Sequence, residues 1–303
     1  MTVVRRFLDE RAAGGSPIGL GCMSFGGMYG PTIEVESEAT LTRALDLGIT
    51  HWDTANIYGE GESELRIGRF FAANPGSRER VILATKFAIG KTPDGRRKID
   101  NSPAHMRESL DASMKRLGVD HVDLYYLHRF DPSVPIEETV GAMAEEVKAG
   151  RIGAIGLSEV SPDTLRRAAA VHPIAAVQSE YSLWTRQPEL GMLEACAEVG
   201  ALFVAFSPLG RGFFGGSPID PEALPASDFR ASNPRFRGLN WQRNVARRAA
   251  FLELAAKWGV TPAALAIAWT LAKGDHVLPI PGTRYAHHLE DDAGAAAIRL
   301  TSD

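Results

Sequence analysis

Four side chains suited to proton chemistry lie at or near the ends of apolar segments. Asp53, Lys86 and His128 each end an apolar run of strand length. Tyr58 follows Asp53 by five residues, a distance short enough for its phenol to return to the same edge. An acid, a base, an imidazole and a phenol that converge on one edge are the components of an acid–base device.

The chemistry of these groups suggests a role for each. A free tyrosine has a pKa of about 10, too high for easy proton transfer at neutral pH. A buried ammonium on Lys86 would lower the pKa of Tyr58, and Asp53 would keep Lys86 charged and oriented. His128 could donate a hydrogen bond to a carbonyl oxygen. We therefore expect Tyr58 to act as a general acid, which typically contributes about 10²–10⁴-fold to a rate.

Any one of these residues alone has a more ordinary explanation, because a lone lysine at a strand end is more often solvated or ion-paired than catalytic. The joint occurrence on three consecutive strand ends favours chemistry. Eight apolar runs alternate with helix-period segments, which is typical of parallel βαβ units. The runs are 18–21, 49–53, 81–86, 122–128, 152–158, 175–179, 202–207 and 277–280.

The alternation predicts an α/β protein with a (β/α)8 TIM barrel in a single domain over residues 1–303, with its chemistry at the carboxyl-end rim. An open doubly wound sheet would carry three glycines after its first strand, but Gly19 and Gly21 are followed by Cys-Met-Ser. Cap-plus-proline pairs at Ser102, Ser161 and Thr261 predict helix starts. The stretch 210–244, rich in Gly, Pro and Arg, predicts a long, lid-like loop after strand seven.

Composition restricts the partners. The chain has 303 residues, 45% of them hydrophobic and 23% charged, which is typical of a globular protein. A formal net charge of −4 gives no reason to expect nucleic acid or an acidic membrane surface as a partner. Two distant cysteines, Cys22 and Cys196, indicate free thiols in a reducing compartment. We expect a cytoplasmic protein with a small-molecule substrate, monomeric or weakly oligomeric.

Several of these motifs together resemble one known family. The segment 52–59 (WDTANIYG), then Lys86, then Leu127-His128 resemble the catalytic set of the aldo-keto reductase superfamily. Similarity extends from GLGCM at 19–23 to IPGT at 280–283, and HRFDP at 128–132 resembles the bacterial and plant branches. The resemblance implies reduction of an aldehyde or ketone, reversibly, by hydride from C4 of a nicotinamide, with Tyr58 as the general acid.

The resemblance also implies a cofactor site, with NADPH/NADP⁺ expected and NADH possible. Ser158 and Gln178 would hold the carboxamide, and Phe206 would stack on the nicotinamide unless it is a barrel-core residue. The remaining positions would contact other parts of the cofactor: Gly21, Cys22, Met23, Asp53, Ser207, Pro208, Leu209, Gly210, Arg211, Gly282, Thr283, Arg284, His288, Asp291 and Asp292.

Some positions depart from the family pattern. Glu159 occupies a place commonly held by Asn, and His288 one commonly held by Arg. Asp291 and Asp292 replace the usual Glu and Asn. Arg284 could still pair with the 2′-phosphate through its planar fork. These departures weaken the expected preference for NADPH over NADH without reversing it.

A set of large side chains near the rim predicts a pocket for a moderately apolar aldehyde, ketone or alicyclic alcohol. The set is Phe25, Tyr29, Phe87, Arg129, Phe130, Trp184, Phe213 and Phe214. Two other functions stay open at this point. One is a cofactor-binding regulatory subunit of a potassium channel; the other is a non-redox barrel enzyme that uses a metal or a Schiff-base lysine. No paired metal-ligand spacing occurs in the sequence.

Overall fold

The computed structural model describes residues 3–92 and 94–301. A sheet of eight parallel strands follows chain order, and a separate two-stranded hairpin lies outside it. The sheet strands are β1 (Leu20–Gly21), β2 (His51–Asp53), β3 (Ile82–Phe87), β6 (Leu124–Leu127), β7 (Ile155–Ser158), β8 (Ile174–Glu180), β9 (Leu202–Phe206) and β10 (Val277–Ile280). The hairpin strands are β4 (Ile89–Lys91) and β5 (Arg97–Ile99).

The first and last sheet strands meet and close the barrel. The Gly19 N–H donates to the Pro279 carbonyl and the Gly21 N–H to the Pro281 carbonyl, each at 2.9 Å. A Cβ on Gly21 would lie only 2.9 Å from the Ile280 carbonyl oxygen, so glycine permits this close approach. The predicted (β/α)8 TIM barrel is confirmed.

Helices surround the barrel. They are α1 (Val3–Ala12), α2 (Glu34–Asp46), α3 (Glu62–Ala73), α4 (Pro103–Leu117), α5 (Ile136–Lys148), α6 (Pro162–Val171), α7 (Met192–Val199), α8 (Gly238–Trp258), α9 (Pro262–Leu271) and α10 (Ala286–Gly294). The three predicted caps are confirmed: the hydroxyls of Ser102, Ser161 and Thr261 each accept a hydrogen bond from a backbone N–H three residues later.

Helix α1 closes the end of the barrel opposite the catalytic rim. Its Phe7 is buried and packs in the barrel interior with Ile82, Leu124 and Leu202, which are the first residues of their strands. The sequence pattern does not predict this helix, because its few apolar residues lie among charged ones. The amino-terminal end of the barrel is therefore filled by a side chain from outside the βα repeat.

The long loop after β9 is shorter than predicted. Its irregular part ends at Arg237, and residues 238–244 form the first two turns of α8. Arginine is a good helix former, so an arginine-rich composition does not distinguish loop from helix here. Among residues 3–92 and 94–301 no single helix is long and apolar enough to cross a membrane; α8 and α9 reach that length and hydropathy only together, across a bend of 92°.

Candidate active site

A cavity of about 920 Å³ opens at the rim formed by the carboxyl ends of the barrel strands. Asp53, Tyr58 and His128 line it. Lys86 is fully buried directly beside them. The parallel pairing of β2 with β3 and of β3 with β6 brings these side chains together from separate parts of the chain.

Lys86 lies at the centre of the polar network. Its ammonium donates to the Asp53 carboxylate, to the Thr54 carbonyl at 2.8 Å and to the Tyr58 hydroxyl at 3.5 Å. The side chains of Lys86 and Asp53 are 0% and 2% exposed, so both charges of the pair are removed from water. A hydrogen bond from an ammonium strengthens as the environment becomes less polar.

The pKa directions follow from burial and from this ion pair. Burial lowers the pKa of Lys86, but the charges of Asp53 and Tyr58 and their hydrogen bonds outweigh it, so the pKa is raised and the group stays an ammonium. Burial raises the pKa of Tyr58, and Lys86 offsets this only in part. The expected net lowering of the Tyr58 pKa is wrong, because burial outweighs the ammonium; Tyr58 holds its proton at neutral pH.

His128 and Tyr58 lie next to each other in the wall of the cavity. The two ring centroids lie 5.9 Å apart with an angle of 86° between the planes. Burial, and then the charges of Lys86, Arg129 and Arg97, hold the pKa of His128 well below its usual value. The imidazole is therefore neutral at physiological pH. Its buried Nδ1 makes no hydrogen bond within the described ranges.

Gln178 and Ser158 line the cavity as expected, and both already have protein partners. The Gln178 amide donates to the second oxygen of Asp53 at 2.8 Å. Arg129 donates through Nη1 to the Ser158 hydroxyl at 3.2 Å and to the His128 carbonyl at 2.6 Å. Gln178 thus extends the polar network around Lys86 by orienting Asp53, a contact that its position late on a strand does not reveal.

Most of the other predicted cofactor residues also line the cavity. They are Gly21, Cys22, Met23, Phe206, Ser207, Pro208, Leu209, Arg211, Gly282, Thr283, His288, Asp291 and Asp292. Phe206 in addition packs against the barrel-interior cluster, and its stacking on a nicotinamide stays a prediction. Gly210 does not line the cavity; its backbone has a positive φ of 55° and turns against Trp184 and Phe214.

Arg284 is not among the residues that line the cavity, contrary to expectation. Its Nη1 donates to the Tyr29 carbonyl at 3.0 Å, and the guanidinium lies close to Gly30. His287, which the sequence did not single out, lines the cavity instead. The only signal for His287 was its place in the first turn of α10, where unpaired backbone N–H groups favour an anion.

The far end of the cavity contains a protonated acid. Asp292 is 2% exposed, and burial, with a smaller contribution from the charge of Asp291, raises its pKa to about 8. The nearby His288 imidazole lies 3.3 Å from the Thr283 hydroxyl, and burial lowers its pKa. Asp292 and His288 are therefore predominantly uncharged at neutral pH, although their residue types suggest charges.

Two of the eight residues expected to face the substrate line the cavity, Tyr29 and Arg129. The other six have packing roles that their rim position does not reveal. Phe25 and Phe87 belong to the core between barrel and helices, and Phe130 packs against it. The remaining three join an aromatic cluster that anchors the long loop on α8: Trp184, Phe213 and Phe214, with Trp241 and Phe251.

Another part of the cavity wall is formed by the segment that follows β3. Ile89, Gly90, Lys91 and Arg97 of the β4–β5 hairpin line it, as does Ile57. Strands of three residues carry too short a pattern to be recognised in the sequence. In the described part of the chain, no group of three or more His, Cys, Asp or Glu side chains could hold a metal ion.

Comparison with known proteins assigns the chain to a family. The model described as "Aldo/keto reductase family" matches residues 17–303. The chain is 45% identical over 288 residues to "Aldo-keto reductase yakc [NADP(+)]" of Schizosaccharomyces pombe, covering 94% of this chain and 84% of that protein. It is 44% identical over 287 residues to "Probable aldo-keto reductase 1" of Glycine max, covering 94% and 82%.

A solved structure agrees with this assignment. The glycerol dehydrogenase AKR11B4 from Gluconobacter oxydans superposes with a TM-score of 0.84 at 29% identity, covering 94% of this chain and 88% of that one. The resemblance noted in the sequence is confirmed, and the chain belongs to the aldo/keto reductase family.

Proposed function

We propose that this protein reduces an aldehyde or ketone to the alcohol, reversibly, with NADP(H) as the cofactor and Tyr58 as the general acid. One observation carries the proposal. A fully buried ammonium, Lys86, bridges the Tyr58 hydroxyl and the Asp53 carboxylate at the edge of a large cavity. The homologue from Schizosaccharomyces pombe, whose name includes NADP(+), supports the cofactor.

The cavity suits an extended dinucleotide. It runs from Tyr58 past Phe206 to Thr283, in the loop just before α10. Glycines along its walls leave backbone groups open to phosphate oxygens, and the amino end of α10 favours a negative charge. The bound nicotinamide supplies the hydride. Because Arg284 is bonded to the Tyr29 carbonyl and does not line the cavity, Thr283, His287 and His288 are the residues that would recognise a 2′-phosphate, and NADH is the second candidate.

The proton follows a short path. As a C–H bond forms at the carbonyl carbon, the π electrons move to the oxygen, and Tyr58 gives its proton to that oxygen. The Lys86 ammonium stabilises the phenolate that remains on Tyr58, and the neutral His128 donates a hydrogen bond to the same oxygen. Burial raises the pKa of Tyr58, so the phenol carries its proton at neutral pH, and the Lys86 ammonium is the group that opposes this rise and so favours release of the proton.

We also propose that residues 210–237 form a lid over the cofactor. The Phe229 N–H donates to the Met28 carbonyl at 3.1 Å, and Arg211 reaches the Tyr29 hydroxyl at 3.5 Å. These bonds connect the loop after β9 to the loop after β1 across the cavity mouth. A cytoplasmic location and a monomeric or weakly oligomeric state stay predictions.

The alternatives fit less well. Lys86 stays protonated beside Asp53, and an ammonium cannot attack a carbonyl to form an imine. A regulatory, cofactor-binding subunit would have no need for turnover, and only a rate measurement separates it from an enzyme. That measurement mixes purified protein with NADPH or NADH and a panel of aldehydes, diketones and cyclic ketones, and follows the absorbance of the reduced cofactor.

Tyr58→Phe removes the proposed acid and is expected to lower kcat by about 10²–10⁴-fold. Tyr181→Phe is the matched control, since it removes the same hydroxyl outside the residues that line the cavity. Full activity in Tyr58→Phe would contradict the mechanism. Absence of turnover with both cofactors and every substrate would favour the regulatory subunit.

A further inference from the structure

The cavity wall near His128 contains two arginines that form no ion pair with the described residues. Arg97 and Arg129 both line the cavity, and both lie near enough to His128 to lower its pKa. Within residues 3–92 and 94–301 neither forms an ion pair, and the Arg97 side chain makes no hydrogen bond. The other basic side chains of the wall are paired: Lys91 with Glu60, Arg211 with Glu180, and Arg230 with Asp228.

The geometry of Arg129 leaves half of its guanidinium available. Its Nη1 donates to the His128 carbonyl and the Ser158 hydroxyl, which fixes the side chain beside the catalytic imidazole. Its Nε and Nη2 have no acceptor among the described residues. Neither atom is fully buried, so both are accessible. Burial lowers the pKa of Arg129, and the charge of Glu159 offsets this only in part. A planar fork of this kind matches a carboxylate.

The hairpin after β3 presents the second cation. Arg97 pairs with Lys91 in the β4–β5 register, and neighbouring residues of a strand point to opposite faces. Lys98 accordingly points away from the cavity and binds Asp100 at 2.7 Å. Arg97 is thus directed by the strand alternation to the same wall as Arg129.

Among the described residues, no acidic side chain that lines the cavity pairs with either arginine, and Glu159 acts on Arg129 only at longer range, without an ion pair. Of the acidic side chains that line it, Asp53 is bound to Lys86, while Asp291 and Asp292 lie at the opposite end, on α10. Arg129 is partly buried and unpaired, which favours an anion that can replace its lost hydration. Arg97 is exposed on the same wall, so it adds a positive charge without having lost its hydration. Resting on the proposed carbonyl reduction, we propose that the substrate carries a carboxylate, which Arg129 and Arg97 bind beside the carbonyl that receives the proton.

The test compares two aldehydes of nearly equal size, 4-formylbenzoate and 4-formylbenzamide, which differ in charge. We expect the wild type to prefer the acid in kcat/KM by about tenfold, and Arg97→Gln to remove most of that preference. Arg129→Lys, which keeps the charge but loses the fork, reduces it in part. Lys98→Gln is the matched control, since it removes one positive charge from the opposite face of the same strand and leaves the preference unchanged.

The outcomes separate the two proposals. If the wild type reduces both aldehydes without preference, or if neither arginine variant changes the ratio, the carboxylate site is wrong and the reductase assignment stands. If neither aldehyde is reduced, calorimetric titration of benzoate against benzamide, with NADP⁺ present, still measures the site. A preference for benzoate that Arg97→Gln abolishes supports it, and equal affinities for the two compounds refute it.

Discussion

The buried pair of Lys86 and Asp53 gives the sharpest test of the mechanism. Asp53→Asn keeps the shape of the side chain and an oxygen for Lys86, but it removes the negative charge. Asp53 and Tyr58 are the groups whose charges raise the pKa of Lys86 against the effect of burial. Without the Asp53 carboxylate we expect the pKa of Lys86 to fall, so the positive charge beside Tyr58 is lost at a lower pH.

The size of the effect follows from the burial. Breaking a buried ion pair by removing one partner typically destabilises a protein by about 3–5 kcal/mol. The amide oxygen introduced by Asp53→Asn would still accept a hydrogen bond, so we expect a loss of about 3 kcal/mol in the free energy of unfolding. The folded pKa of Lys86 is raised, so the lysine side of the pair contributes fully below pH 10.5 and is lost only above it. Measurement at pH 7 therefore captures the whole effect.

Two measurements are needed, urea unfolding at pH 7 and the pH dependence of kcat. We expect kcat at pH 7 to fall about 10²-fold, the lower end of the range for general acid catalysis, and the alkaline limb of the profile to move to lower pH. Glu64→Gln is the control, because Glu64 is also fully buried and forms an ion pair with Arg116 at 2.6 Å. Neither residue lines the cavity. It should destabilise the protein and leave the pH profile in place. An unchanged profile in Asp53→Asn, or the same displacement in Glu64→Gln, would refute the reasoning.

Two further changes test the far end of the cavity. Asp292→Asn removes an acid whose pKa rises from 3.8 to about 8 on folding, so it should stabilise the protein by at most about 4 kcal/mol at pH 7. Thermal unfolding should show that this gain in stability disappears near pH 4. A gain in stability that does not depend on pH would contradict the prediction. His288→Ala should weaken binding of NADPH more than of NADH, by several-fold in a fluorescence titration, while Arg284→Ala has the smaller effect; the reverse order would show that Arg284 contacts the phosphate.

The convergence of Asp53, Lys86 and His128 on one rim could be predicted from sequence because its determinants are local. A strand of the barrel ends where its apolar run ends, so the neighbours of Asp53, Lys86 and His128 in the sequence indicate their position in the fold. The aromatic residues near the rim carry no such signal. Phe213 and Phe214 lie against α8, because Trp241 and Phe251, which come later in the chain, complete a cluster there. Nearness to the rim does not determine which side of a loop faces the cavity.

The pKa of Tyr58 shows a second limit. Residue types correctly predict that Lys86 lowers it, since that contribution depends on one contact. The net direction depends on how completely the phenol is removed from water, which is set by every element that packs around it. A sequence pattern that locates a charge beside Tyr58 therefore predicts whether that charge raises or lowers the pKa. It does not predict the net shift of the pKa, which also includes the effect of burial.

The contact made by Arg284 could not be predicted from the sequence either, because it depends on a residue far away in the chain. Its residue type and its place before α10 favour a phosphate contact, yet the acceptor that it binds, the Tyr29 carbonyl, lies 255 residues earlier. Gly30, with a positive φ of 103°, forms the turn that brings this carbonyl within reach. The arginine consequently ties the β1 loop to the β10 loop at the mouth of the cavity. Under the proposed function, recognition of a 2′-phosphate would fall to the hydroxyl of Thr283 and the imidazoles of His287 and His288, which line the cavity. Such a set would discriminate NADPH from NADH less strongly than an arginine fork.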